Sequence, residues 1–191
     1  MAKAVPIYKL TQTDGSLRDS APVLMIRLQE MLDYAPAVRD PANVTELHNM
    51  RIASKRLRYT LELFAPVLEK KTGSRLLSIV EDIQERLGKI HDCDVLFPLV
   101  QDTMEQEMER ERKGTKKRGE TLGPPPFLAV EGLAALTARK RAERIRLYND
   151  FLKFWDKLPP ERLAADLSRL LATGTPSAPV NEPTESAATD A

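Results

Sequence analysis

A single cysteine, Cys93, stands in a chain of 191 residues. That excludes an internal disulfide and any thiolate-based zinc cluster, and it suits a reducing compartment. Aromatic residues make up only 5%, which leaves few rings on which nucleic-acid bases could stack. A core poor in rings and rich in Leu, Ile, Val, Ala and Met suits helices packed on helices. No apolar run approaches the roughly 20 residues of a membrane span. The opening Met1-Ala2-Lys3-Ala4-Val5-Pro6-Ile7-Tyr8 has no signal-peptide core, so a soluble cytoplasmic protein is expected. Neither sign of charge dominates: 29 Lys and Arg stand against 28 Asp and Glu, a net charge of +1. Global charge therefore does not announce a polyanion partner, and the information lies in how charges are segregated. There is no alternating strand pattern and no phosphate-cradling glycine loop, neither G-x-G-x-x-G nor G-x-x-x-x-G-K-[ST]; H-E-x-x-H is absent too. No catalytic residue, metal ligand or cofactor is expected.

What is present centres on Glu46 to Phe64. Met50, Ser54, Leu57 and Leu61 recur at helical spacing and form a core stripe. Beside it His48, Arg51, Lys55, Arg58 and Tyr59 share an adjacent face. Five basic or imidazole side chains lie between Leu47 and Leu61, with no carboxylate among them. Like charges at helical spacing cost a few tenths of a kcal/mol each, so an external anion is the natural partner. At about 1.5 Å per residue, His48 to Arg58 spans about 15 Å. That is a row, and it suits an extended polyanion better than one small phosphate.

The rest of the chain reads as helices and connections. Residues 1–20 are polar and are expected to form an unanchored, flexible arm. A first helix is predicted from Ala21 to Tyr34, with Pro22 in its first turn and Leu24, Leu28, Met31 and Leu32 inward. Asn43 or Thr45 is the expected N-cap of the basic helix, and Pro66 should end it near Ala65. Lys71-Thr72-Gly73-Ser74 reads as a turn, with Ser74 capping a third helix. That helix carries Leu76, Ile79, Val80, Ile83, Leu87 and Ile90 inward, and aligns Gln84, Gly88 and His91 on another side. Gly88 costs about 1 kcal/mol in a helix relative to Ala, so it points to a close approach or to nothing at all. His91-Asp92-Cys93-Asp94 is expected to break the chain, with Asp92 or Asp94 capping a polar fourth helix. These acids are read as caps and ion-pair partners rather than metal ligands, and Cys93 as a small core residue.

Lys113 to Pro126 is predicted as a loop, its Lys113, Lys116, Lys117 and Arg118 solvated. A fifth helix is expected from Phe127 to Leu158. Its apolar side contains Lys140, Arg141 and Arg144, and cations are rarely buried unless paired. Either they line an inner cavity that accepts negative charge, or their heads reach water or acids such as Glu81 and Asp82. Tyr148 and Trp155 are read as core. Glu161 to Leu171 is a short amphipathic piece within a terminal segment, 159–172, and 173–191 is expected to be a disordered tail.

Leu47-His48-Asn49-Met50-Arg51-Ile52-Ala53-Ser54-Lys55-Arg56-Leu57-Arg58-Tyr59, followed by Leu63-Phe64, resembles the signature helix of the CHAD domain, the conserved-histidine α-helical domain. Leu87-Gly88 and His91-Asp92-Cys93-Asp94-Val95 resemble that family's second motif, with His91 where an Arg is usual. The resemblance covers roughly residues 21–158 and is specific for 46–96. It implies an all-α antiparallel bundle of four to five helices with a basic groove. It also implies non-catalytic binding of inorganic polyphosphate, and association with polyphosphate granules. Carried over by position, His48, Arg51, Lys55, Arg56, Arg58 and His91 become binding residues. Lys140, Arg141 and Arg144 would form the facing wall, with Arg86 and Lys89 as secondary candidates. CHAD domains commonly hold two helical units and some carry a CYTH triphosphatase domain. This chain has room for about one unit, and no ExExK-type strand motif is visible. One unit then binds with a half-groove, or a homodimer completes it. The alternatives are a nucleic-acid-associated helical protein, a histidine phospho-acceptor using His48, and a scaffold; scarce aromatics and near-zero net charge weigh against nucleic acid.

Overall fold

Residues 3–6, 17–118 and 127–173 are described by the computed structural model. Among them are five α-helices, two 3-10 turns and no strand. Helix α1 (Leu17–Leu32) runs through Pro22, starting four residues before the predicted boundary. It places Leu24, Leu28 and Met31 in the core. The segment at Val5 lies alongside the second half of α1: Val5 N–H donates to the Glu30 carboxylate, and Arg27 donates to the Val5 carbonyl at 3.2 Å. The described part of the N-terminal arm is thus tied to α1, because Glu30 and Arg27, themselves paired, satisfy the backbone of Val5.

A 3-10 turn, Ala37–Arg39, then buries Val38. Asn43 does occupy the N-cap position of α2 (Val44–Phe64), but its side chain makes no capping bond. It donates instead to the Ala37 carbonyl at 2.8 Å, fastening the turn that precedes the helix. Leu47, Met50, Ala53, Leu57 and Leu61 fill the core side of α2. Ser54 joins them because its hydroxyl bonds back to the Arg51 carbonyl at 2.9 Å, leaving no unsatisfied donor. The helix ends where expected, passing into the 3-10 turn Ala65–Val67 that carries Pro66.

The largest departure from the sequence expectation is α3. It runs unbroken from Lys70 to Arg118, 49 residues, with Pro98 inside it. Ser74 caps nothing. Glu69 does that work, accepting from the N–H groups of Lys71 at 2.8 Å and Thr72 at 2.7 Å, and the Thr72 side chain first, with these two bonds, holds its carboxyl below its ordinary value. Gly73, expected in a turn, lies in the first helical turn, where a Cβ would make only ordinary contacts with Leu68 and Leu170. The predicted break at His91–Asp94 does not occur. Cys93 is buried, and the Asp94 carboxylate, free to cap only if the helix stopped, is instead engaged by Arg144. Tertiary pairing overrides the local capping preference. The predicted loop from Lys113 likewise yields to helix as far as Arg118; residues 119–126, with the three prolines, lie outside the described residues.

Helix α4 (Phe127–Trp155) returns along α3, and α5 (Pro160–Thr173) closes the bundle with Leu163, Leu167 and Leu170 inward. Arg75 of α3 pairs with the buried Asp166 of α5. Tyr148 and Trp155 are core residues, and the Tyr148 hydroxyl donates to the Val38 carbonyl at 3.1 Å. The chain order of packing is α1 on α2, α2 on α3 and α3 on α4, with α5 against α1 and α3. The expected tail beyond Thr173 lies outside the described residues.

Candidate polyanion seam between α2 and α3

Helix α2 descends beside α3 in antiparallel register. The register is set by two contacts: the rings of His48 and His91 lie 4.4 Å apart, and Arg51 Nε is 3.6 Å from where a Cβ on Gly88 would sit. One turn further, the same register sets Lys55 level with Gln84. The stripe Gln84, Gly88, His91 of α3 therefore meets the row His48, Arg51, Lys55, Arg58 of α2 (its sequence alignment was visible, its partner was not). Arg51 is the side chain closest to Gly88; a methyl group there would be in ordinary contact with it, so the glycine is compatible with the fold but not demanded by it.

The seam is rich in polar atoms that lack partners. His48 Nδ1, Arg51 Nε and Gln84 Oε1 are buried without a hydrogen bond among the described residues. Buried polar atoms are normally satisfied, so these three leave two nitrogens and an acceptor on the seam open to a partner from outside the chain. Gln84 was not among the sequence candidates; its signal was the shared stripe with His91. Lys55 and Arg58 stand over the two sides of the half-exposed Tyr59, at 5.6 and 4.9 Å from its ring centroid. Arg58 also reaches Glu62 at 3.3 Å. No carboxylate pairs with Arg51 or Lys55 among the described residues. Arg56 lies elsewhere, five residues and about 140° of helical arc from Arg51, half-buried on the flank away from α3.

Burial, the adjacent His91 and the Arg51 charge, in that order, hold the His48 imidazole below its ordinary value of 6.5. The free protein therefore carries His48 neutral near neutral pH. The unfolded chain protonates first as pH falls, so folding stability is complete above 6.5 and is lost as pH drops through that value toward the lowered one. Thermal melts should show a falling midpoint below pH 6.5, and His48→Gln should flatten that slope. An unchanged slope would remove His48 from the account.

The remaining candidates do not join this row. Lys140 pairs with Glu143 at 2.7 Å and Lys89 with Glu85 at 2.6 Å; those bonds hold both carboxyls below their ordinary value. Lys89 and Lys140 share a cleft with Cys93 on the α4 flank of α3. Burial first, and Glu143 next, push the Cys93 thiol up, keeping it protonated. Arg86 is stacked over the Phe154 ring at 4.4 Å. Arg144 is largely enclosed against Asp94 and also donates to the Pro41 carbonyl at 2.9 Å. Arg141 is exposed beside Phe97 and Met104. The expectation of one groove walled by the second and fifth predicted helices is thus corrected. Helix α3 stands between the two sets, and the exposed acids Glu81, Glu85 and Asp92 ride its ridge. The physical reason is that Lys140 and Arg144 of α4 found carboxylates and Arg141 reaches the surface, so their place on an apolar side needs no external anion. No group of three or more His, Cys, Asp and Glu side chains gathers as a metal site among the described residues. No helix there is long and apolar enough to cross a membrane.

The family model of the CHAD domain matches residues 23–191. Neither the curated proteins nor the solved structures yield a match.

Proposed function

As the chain belongs to the CHAD domain family, a family associated with inorganic polyphosphate, we propose that it binds polyphosphate without catalysis along the α2–α3 seam. One observation carries this reading. Among the described residues Arg51 and Lys55 lack carboxylate partners on this seam, where Arg58 alone of the row's three cations reaches an acid, whereas Lys89, Lys140 and Arg144 on the other flank are each paired with one and Arg141 stands apart without one. Cations that already have carboxylates gain little from a phosphate; cations without them gain most. Arg51 offers a planar fork to phosphate oxygens and Lys55 a point charge. The seam is built within one chain, so binding does not wait on a second copy to complete it. The enclosed Nδ1 of His48 weighs against its use as a phospho-acceptor, since a donor protein would need to reach the ring.

The test is polyphosphate binding to the full chain across a salt series, with single-stranded DNA as competitor. Affinity should fall steeply with salt, because each phosphate contact releases counterions, and DNA should compete poorly. Salt-insensitive binding would sink the row mechanism. Equal competition by DNA would favour the nucleic-acid alternative, with the exposed Tyr59 ring as a stacking surface.

A further inference from the structure

The stripe that meets α2 does not end at His91. At the same spacing of three and four it continues along α3 through Val95 and Leu99 to Asp102, Glu105 and Glu109. The antiparallel register brings the start of α2, Val44, level with Val95. Beyond that level α2 no longer flanks α3, and the stripe faces solvent. Val95 and Leu99 are 55% and 60% exposed there, with Val44 at 40%. Past them Asp102, Glu105 and Glu109 line one shallow concavity on α3. Lys113 offsets Glu109 at 3.4 Å, leaving a net acidic surface. One face of the molecule therefore carries, in line, a basic seam, an exposed apolar patch and an acidic turn.

Such a line is complementary to itself when reversed. A twofold axis at Val95 places Asp102 of one copy level with the partner's Gly88 and Arg51, because both lie seven positions from Val95 on α3. The same axis sets Glu105 within one position of the level of the partner's Lys55, and Leu99 beside the partner's His91. We propose that two copies of this chain pair antiparallel through this face, each laying its acidic turn on the other's basic seam around a Val95–Leu99 centre. The contact is isologous, so it closes at two and does not propagate. The carboxylates that Arg51 and Lys55 lack within one chain are supplied by the second. A further consequence rests on the polyphosphate reading above: the pair and the polyanion use one seam, so polyphosphate separates the copies.

Sedimentation of the full chain at low and high salt tests the pairing directly. The wild type should be dimeric at low salt and dissociate as salt rises. Glu105→Lys should weaken the dimer by about tenfold or more, since each substitution acts twice across the axis, and Lys55→Glu should do the same. The double variant Lys55→Glu with Glu105→Lys should restore it, an outcome that misfolding would not produce; far-ultraviolet circular dichroism checks helicity in each. A monomeric wild type at low salt, or a dimer indifferent to both single changes, overturns the proposal. Polyphosphate added to the dimer should yield monomer. Binding of polyphosphate without dissociation would overturn the shared seam, whereas a salt-sensitive dimer that ignores polyphosphate altogether would retain the pairing and count against the polyphosphate reading instead.

Discussion

Replacing Arg51, Lys55 and Arg58 together with alanine is expected to lower polyphosphate affinity by about a hundredfold or more, with the fold intact. Each lost charge-assisted contact is worth about 1–2 kcal/mol at a half-exposed seam, and about 2.7 kcal/mol in sum already gives a factor of about a hundred. The stability side is small. The two cation–π contacts on Tyr59 contribute about 0.5–1 kcal/mol each, and removing like charges along one helix face offsets part of that. A melting midpoint within a few degrees of wild type is therefore expected, which separates binding from folding. The matched control is Lys140→Ala with Arg141→Ala. Lys140 already has Glu143, and neither residue lies on the seam, so affinity should change by less than about threefold. If the control loses as much affinity as the triple variant, binding follows overall charge rather than the α2–α3 geometry.

Asp94→Ala should be the most damaging single change to stability among the charged residues, lowering it by about 3 kcal/mol. The side chains of Asp94 and Arg144 are 8% and 13% exposed. With the carboxylate gone, the guanidinium keeps only the Pro41 carbonyl and remains enclosed with an uncompensated charge. That is costly in a way that losing an exposed pair such as Lys89–Glu85 is not. A midpoint drop of roughly 10 °C is expected, readable by thermal or urea melts. Removing both charges, as Asp94→Leu with Arg144→Met, should recover part of the loss, because the penalty arises from the orphaned partner rather than from absence of the bond. A single-variant cost below about 1 kcal/mol would show that water reaches the pair and that it behaves as a surface bridge.

The same pair explains why α3 runs on through Asp94 where the local signals predict a break. Asp92 and Asp94 beside Cys93 carry a strong local capping signal, and Pro98 four residues on supports a fresh start. That preference is worth about 1 kcal/mol. A buried ion pair and the burial of Ile90, Cys93 and Val100 on one continuous helix outweigh it. The turn that Gly73 and Ser74 predict gives way for the same reason on a smaller scale, since Glu69, one residue outside the helix, offers its first N–H groups a better acceptor.

Periodicity in the sequence determined the all-α class, the core stripes of α1, α2 and the first half of α3, and the row His48, Arg51, Lys55, Arg58. These depend on which residues share a face of one helix, and a helical repeat is a local property. Whether a cation is free or paired depends on what stands opposite, often fifty or a hundred residues away. Only the tertiary structure decided that Arg144 belongs to Asp94, that Gln84 and His91 complete the α2 row, and that α3 separates that row from Lys140. Charge acts through space, and the sequence orders residues only along the chain.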